Sequence, residues 1–363
     1  MLLPVQVESG RSRLPRATLS LLLVTTLIYA LCVAQGLYEH GMSLTGVRSI
    51  PDSVLAFWAL YPAHPHPWSF LTAPWIHLNI LHLGGNLLFL WVFGAAAEDA
   101  LGTPAAIGIY LAGGIASTLA QYLVAVFNLA PDNIYYGGAS GAVIALIAAF
   151  AIRRYRARVR LWFVAMEISL PVGLSLTAFL CWYGLVPWLI ASPDSPPGYW
   201  GHLGAGAAGL TLALALRLGP RGIVEYSVED AVRLIAKGNL REGLHDLRLL
   251  QRIAPLDSRI PLALAQAYLS IWDMAEAGRA YAHAVQIELD LRQPARAFAI
   301  WQEAAGRQVT IPARLVVTLA SALLKEGNQQ PAVELYRWAA AQEECAAAAA
   351  SARRRLASMG LDA

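Results

Sequence analysis

Two residues of this chain are placed for nucleophilic chemistry. Each lies in a glycine-bearing stretch of an apolar run: Ser140 in Gly138-Ala139-Ser140-Gly141, and His202 in Gly201-His202-Leu203-Gly204. A serine hydroxyl is a weak nucleophile until an adjacent base takes its proton, and neutral imidazole is the common base. Attack on a carbonyl creates an oxyanion that needs donors already aimed at it. His82 and Asn86 are four residues apart and project from one helix face. Imidazole N–H and amide NH₂ are suitable donors. The Ser140 backbone N–H would join them, because a helix start leaves such groups unpaired. No cofactor motif accompanies these residues. The three cysteines, Cys32, Cys181 and Cys345, have neither metal-ligand spacing nor the pattern of a disulfide framework, so no metal is expected.

Taken singly, each residue has a plainer reading. Gly-x-Ser-Gly in an apolar run ordinarily lets helices approach closely, and Asn86 alone reads as interhelical glue. His202 alone could be a structural hydrogen bonder or a proton relay. Their common depth sets them apart, and that depth follows from the elements that carry them. The 363 residues are 57% hydrophobic and 14% charged, against about 25% charged in an ordinary soluble domain. A bilayer core needs roughly 20 apolar residues per helix. Six runs are read as spans: 16–37, 77–97, 104–127, 138–155, 161–190 and 199–218. The fifth carries Pro171 and Pro187 and is expected to kink or tilt. The first is too long for a cleavable leader and reads as a retained span.

Arginines fix the expected orientation. Arg11, Arg13 and Arg16 precede span 1, five arginines between Arg153 and Arg160 separate spans 4 and 5, and Arg217 and Arg221 follow span 6. Positive loops stay cytoplasmic, so both termini are expected there. Loops 38–76, 128–137 and 191–198 then face outward, and the Trp- and Tyr-bearing 38–76 loop is expected partly in the outer headgroup region. Spans 2, 4 and 6 run inward. His82, Asn86, Ser140 and His202 fall near their outer ends, at one depth. The net charge of +3 implies no nucleic-acid partner. A multi-pass protein of a bacterial plasma membrane, with the lipid bilayer as its surroundings, is the expected setting.

Gly219 and Pro220 break the last span and separate a charge-bearing remainder. The expected organisation is a cytoplasmic N-terminal segment 1–15, a six-span domain 16–219, a soluble helical domain 223–345 and a basic tail 346–363. Helical patterns are read over 228–236, 240–253, 261–271, 274–289, 294–305, 312–325 and 330–341. A small residue four before a large one recurs at Gly243/Leu247, Ala277/Tyr281 and Ala332/Tyr336. The first two copies are 34 residues apart, the tetratricopeptide period, and the third is out of register. Such arrays bind peptides or proteins, so a peptide or protein ligand is the expected partner of this domain. A non-repeat helical bundle is the competing reading.

The motifs taken together resemble the rhomboid family. His77-Leu78-Asn79-Ile80-Leu81-His82-Leu83-Gly84-Gly85-Asn86 is similar to its H-x4-H-x3-N. Gly94-x3-Glu98-x3-Gly102 with Tyr110 and Gly114, the Gly138–Gly141 motif, and Gly201-His202 with Ala205 and Gly209 follow in the family's order. The resemblance implies an all-α, polytopic, six-transmembrane-helix bundle with a soluble α-helical repeat-like domain appended. It implies an intramembrane serine endopeptidase with a Ser140–His202 dyad and an oxyanion hole of His82, Asn86 and the Ser140 N–H. Gly138, Gly141, Glu98, Ala205 and Gly209 are the implied structural motif. The implied substrates are single-span membrane proteins, cut near the outer face where their helix unwinds. Three positions depart from the family pattern: Ser69 after Trp68, Ile144 four residues after the serine, and Ala205 for the first glycine of G-x3-G. A catalytically silent, rhomboid-like binder of membrane helices is the alternative, and a histidine-relay transporter a third reading. The first has no need of all four polar residues, and the second would need an acidic midplane network that the spans lack.

Overall fold

The computed structural model describes residues 2–7, 14–40, 50–163, 166–181, 198–342 and 345–361. It divides into two compact units, Met1–Gly222 and Ile223–Ala363. The protein is a multi-pass membrane protein and is nearly all-α, the departure being one small sheet.

In the first unit, α1 (Arg16–His40) is followed by α2 (Asp52–Trp58), α3 (Ser69–Thr72) and a 3₁₀ turn (Ala73–Trp75). Then α4 (Ile80–Phe89) runs through a π turn (Leu90–Gly94) into α5 (Ala95–Leu101). After α6 (Thr103–Val126) come α7 (Ser140–Arg153), α8 (Val172–Leu180) and α9 (Tyr199–Ala215). Three described stretches are long and apolar enough to cross a bilayer: Arg16–Glu39, Ile80–Leu101 and Thr103–Val126. A fourth is reached if α9 and the helix that follows it, bent by 66°, are taken as one span.

The fourth predicted span is the clearest departure in length. With 14 residues, α7 extends about 21 Å, short of the roughly 30 Å hydrocarbon core. Its position explains this. Every residue from Gly141 to Ala151 is buried, and a helix apolar on all sides belongs in a core. Leu146, Ile147 and Phe150 are among the largest fully buried side chains of the protein. The packing around α7 is made by α6, α9, α5 and α8.

The predicted fifth span, 161–190, requires a correction. Its beginning is an antiparallel hairpin, β2 (Arg158–Phe163) and β3 (Met166–Pro171), joined by β1 (Leu2–Val7) in the order β1-β2-β3. Helix begins only at Val172, and residues 182–197, with Pro187 and most of the 191–198 loop, lie outside the described residues, as do Arg11 and Arg13. The reason is period. From Arg158 to Trp162, polar or exposed residues alternate with Val159 and Leu161, both fully buried, and a two-residue repeat specifies a half-buried strand. Residues of the expected N-terminal segment 1–15 supply the third strand.

One buried carboxylate ties this end of the bundle together. Glu98, at the middle of α5, accepts from the Ala17 N–H (3.0 Å), the Thr18 N–H (2.8 Å), the Thr18 hydroxyl (2.9 Å) and the Thr103 hydroxyl (2.9 Å). It therefore caps the first turn of α1, where unpaired N–H groups and the helix dipole favour a negative charge.

The second unit contains α11 (Leu240–Ile253), α12 (Arg259–Ser270), α13 (Met274–Asp290), α14 (Pro294–Gly306), α15 (Ala313–Lys325), α16 (Gln329–Ala340) and α17 (Ala346–Ser358). They follow α10 (Leu218–Ala236), within which the unit boundary falls. Leu247, Ala277, Tyr281, Ala332 and Tyr336 are fully buried in one core. Both tyrosine hydroxyls are bonded, Tyr281 to Glu303 (2.9 Å) and Tyr336 to Ser321 (2.8 Å). The residues expected as a basic tail form α17, which packs Ala352 and Leu356 into this core.

Candidate active site

The site is built from α4, the approach to α7, and the start of α9. Asn79 caps α4, its side-chain oxygen accepting from the His82 N–H at 2.8 Å. That cap places His82 in the first turn and Asn86 one turn later. The Asn86 amide donates one hydrogen to the His82 carbonyl at 3.0 Å, which fixes the amide plane, and Asn86 is buried.

The chain then reaches Ser140 along a fixed path. Leu60 and Tyr136 exchange both backbone hydrogen bonds, at 2.9 and 2.8 Å. The Gly138 N–H donates to the Ala73 carbonyl at 3.0 Å. The Ala139 N–H donates to Nε2 of buried His77 at 3.2 Å, while His77 Nδ1 lies 3.2 Å from the Trp75 carbonyl. Those two contacts set the tautomer: Nδ1 carries the hydrogen and Nε2 accepts. His77 belongs to the H-x4-H-x3-N pattern, but sequence reasoning assigned it no role. Its role in the structure is to hold the backbone one residue before Ser140.

Gly138 shows how close the histidine comes. Its φ is +119°, and a Cβ there would stand 2.6 Å from Cε1 and 2.7 Å from Nε2 of His82, with Asn86 Nδ2 at 3.6 Å. Only a residue without a Cβ fits both the backbone conformation and the space. His82 Nε2 and the Asn86 amide thus converge beside the residue two before Ser140. Ser140 is the first residue of α7, so its N–H has no intrahelical partner.

His202 enters from α9. Its Nε2 lies 2.7 Å from Ser140 Oγ, a hydrogen-bond distance for a hydroxyl and an imidazole. The predicted Ser140 and His202 are therefore in contact. The spacing of their helices comes from α6. The side chain of Ser117 occupies the space a Cβ would need at both Gly141 and Gly201, the residues next to Ser140 and His202. One turn along, buried Gln121 accepts from the Gly201 N–H at 3.2 Å. Ala205 is fully buried and its Cβ faces Gly141, Gly209 lies against the backbone of Ala145, and Ile144 reaches Gly206. Sequence reasoning missed Ser117 and Gln121. Two polar residues four apart on an apolar helix were the available signal, since polar groups in a span default to a functional reading.

Glu98 is elsewhere. Sixteen residues after His82 on a nearly continuous helix, it lies roughly 24 Å along the axis and bonds to α1 and Thr103, as described above. Among the described residues no group of three His, Cys, Asp or Glu side chains is placed to hold a metal ion.

The family model for the Rhomboid domain matches residues 64–218, a stretch that contains all four polar residues of the site. The chain is 32% identical over 124 residues to rhomboid-like protein 11, chloroplastic, of Arabidopsis thaliana, covering 34% of this chain and 40% of that protein. It is 28% identical over 226 residues to the rhomboid protease GluP of Bacillus subtilis, covering 61% and 41%. With the rhomboid protease GlpG of Salmonella paratyphi A it shares 29% identity over 197 residues, covering 53% and 61%. The chain thus spans between 40% and 61% of the length of these relatives. Residues 64–218, the stretch that bears this site, are thus similar to the Rhomboid domain, and over it the chain resembles these rhomboid proteins.

Proposed function

We propose that the protein is an intramembrane serine endopeptidase in which Ser140 is the nucleophile and His202 the general base. The observation that carries this is the 2.7 Å contact between Ser140 Oγ and His202 Nε2. With the ring hydrogen on Nδ1, Nε2 accepts the serine proton as Oγ attacks a peptide carbonyl. The imidazolium returns that proton to the leaving amine, and water activated in the same way then releases the acyl group. His82 Nε2–H, the second hydrogen of the Asn86 amide and the Ser140 N–H receive the oxyanion. The donors converging beside Gly138 support that assignment.

The substrates are single-span membrane proteins. A helical peptide bond is shielded by its own hydrogen bonds, so the helix must unwind before its carbonyl can reach Ser140. The cut falls in the outer half of the membrane. Arg16, the Arg153–Arg160 segment, Arg217 and Arg221 belong to the end of the bundle away from Ser140, and positive charge favours the cytoplasmic side. A bacterial plasma membrane with both termini inside is the setting this supports.

The second unit is a tetratricopeptide-like array that binds a peptide or protein. Helix-ending residues in the left-handed conformation recur at Gly238, Trp272 and Gln308, 34 and 36 residues apart, close to the tetratricopeptide period.

A fluorophosphonate probe on the purified, detergent-solubilised protein tests the enzyme reading. Labelling is expected in the parent and lost in Ser140→Ala and His202→Ala. Equal labelling of a correctly inserted Ser140→Ala protein would sink the mechanism. Single cysteines test the orientation. Those in 50–76 should react with impermeant thiol reagents from outside, and those in 223–340 should not.

A further inference from the structure

The small sheet at the end of the bundle away from Ser140 takes no part in the site. Its inner face is apolar, with Val7, Val159 and Leu161 buried in the core of the first unit. Its outer face follows from strand alternation. Along β2, Arg158, Arg160 and Trp162 point the same way, opposite Pro171, Ser169 and Glu167 of β3. Trp162 is 56% exposed. An exposed tryptophan beside arginines is costly in water and suited to an interface.

The arginines on this face are held in place. Arg158 donates from Nε to the Ser169 hydroxyl (3.0 Å) and from Nη2 to the Ser169 carbonyl (2.6 Å). Arg160 pairs with Glu167 at 3.2 Å, both about half-exposed. A guanidinium has five N–H donors, so these contacts orient each group along the sheet without exhausting it. More positive charge gathers at the same end. Gly222 backs onto the Arg153 carbonyl, which brings the Arg217–Arg221 segment there, and Glu98 holds the start of α1 with Arg16. Among the described residues of the first unit, Glu98 is buried and consumed in capping, and the other acids near this end are Asp99 and Glu167.

The surface is continuous with the membrane-spanning bundle. A four-residue turn joins α7 to β2, and β3 leads directly into α8. A basic face carrying an exposed indole, attached to membrane helices, matches an anionic leaflet. Arginine donates charge-assisted hydrogen bonds to phosphate, and tryptophan settles at the headgroup boundary.

We infer that the outer face of the three-stranded sheet lies on the membrane and binds anionic phospholipid headgroups, with Arg158 and Arg160 on phosphate and Trp162 in the acyl boundary. The sheet then fixes the depth at which the bundle rides in the bilayer. This is independent of whether Ser140 is a nucleophile.

The test uses the full chain in nanodiscs of phosphatidylcholine with rising fractions of phosphatidylglycerol. In a background with Cys32, Cys181 and Cys345 replaced, Trp162→Cys carries an environment-sensitive fluorophore, and Glu167→Cys, exposed on the same face opposite Trp162, is the second reporter should the first variant misfold. The emission should shift to the blue and be quenched by brominated lipid chains, more strongly as phosphatidylglycerol rises. A basic residue near an anionic surface contributes about 1 kcal/mol, about fivefold. Arg158→Gln and Arg160→Gln should therefore each raise the phosphatidylglycerol fraction needed for the half-maximal shift by about that factor. A water-like spectrum, indifferent to brominated lipid in every disc, overturns the proposal and leaves the face to solvent or a soluble protein. Quenching that ignores both phosphatidylglycerol and the arginine substitutions overturns headgroup binding and leaves only apolar contact.

Discussion

Replacing Glu98 tests whether the bundle's stability can be separated from its chemistry. The carboxylate accepts four hydrogen bonds, two from backbone N–H groups of α1 and two from threonine hydroxyls. Two of the partners are backbone N–H groups, one on each carboxylate oxygen, and these can only donate, whereas the threonine hydroxyls can also accept. Glu98→Gln keeps the shape but turns one oxygen into NH₂, so either orientation of the amide sets NH₂ against a backbone N–H and loses at least that bond. A hydrogen bond to a charged group contributes about 1.5–3 kcal/mol, and the loss is therefore at least about 1.5 kcal/mol. One kcal/mol moves the midpoint of a domain of this size by about 2–4 °C. Thermal unfolding in detergent should then show Glu98→Gln at least about 3 °C below the parent, with Glu98→Ala no better. Fluorophosphonate labelling of Ser140 at low temperature should be nearly unchanged, because Glu98 lies roughly 24 Å along the helix from His82. A glutamine variant melting with the parent would refute the claim that charge and acceptor pattern matter here. A variant with parental stability and no labelling would refute the separation itself.

Asn86→Ala and His82→Ala should lower cleavage of a model transmembrane substrate by up to about 10²–10³, less if the donors substitute for one another; full activity of both single variants and of the double variant would remove the oxyanion assignment. Gly138→Ala should abolish fluorophosphonate labelling, because its Cβ would stand 2.6 Å from His82 Cε1 at a φ of +119°. Gln121→Ala should reduce kcat about tenfold with little change in KM, since it frees the Gly201 N–H beside His202, and Gln121→Glu, which keeps an acceptor, should recover part of that loss. Deleting 223–363 should leave cleavage of a generic substrate in detergent while weakening cleavage of the native substrate in cells, measured as the ratio of the two losses; an inserted, stable and wholly inactive core would end the modular reading.

The sequence was most legible where one local rule acts alone. The helices of the second unit follow their apolar periodicity closely: 240–253 is α11, and 294–305 lies within α14. Contact between Ser140 and His202, 62 residues apart, was legible because orientation and depth constrain where a span can place a side chain. Length misled at the centre of the bundle. A fixed quota of apolar residues cannot tell a spanning helix from the short, fully enclosed α7. At 158–171 a search for long apolar runs hid a two-residue alternation, and the pairing of β1 with β2 across more than 150 residues has no local signature. Ser117 and Gln121 were invisible for another reason. Their importance lies in what faces them, two glycines on other helices, and a single sequence does not say which residues meet.

Those glycines explain how an apolar bundle can hold two reactive atoms at bonding distance. Gly141 and Gly201 flank Ser140 and His202, and both rest on the Ser117 side chain, so one residue of α6 sets the distance of α7 and of α9 from a common reference. Gln121 then fixes the first turn of α9 through the Gly201 N–H, and fully buried Ala205 closes the crossing against Gly141. A methyl group added at any of these contacts would push the helices apart. Misplacing reacting groups by about 1 Å can cost on the order of 10²-fold in rate. On the proposed mechanism, small side chains at this crossing act on catalysis through distance, while Glu98 at the other end acts on stability through charge. The Ala205 departure fits the same logic. Its Cβ already meets the position a Gly141 side chain would take, so the methyl group is accommodated by the absence of one opposite it.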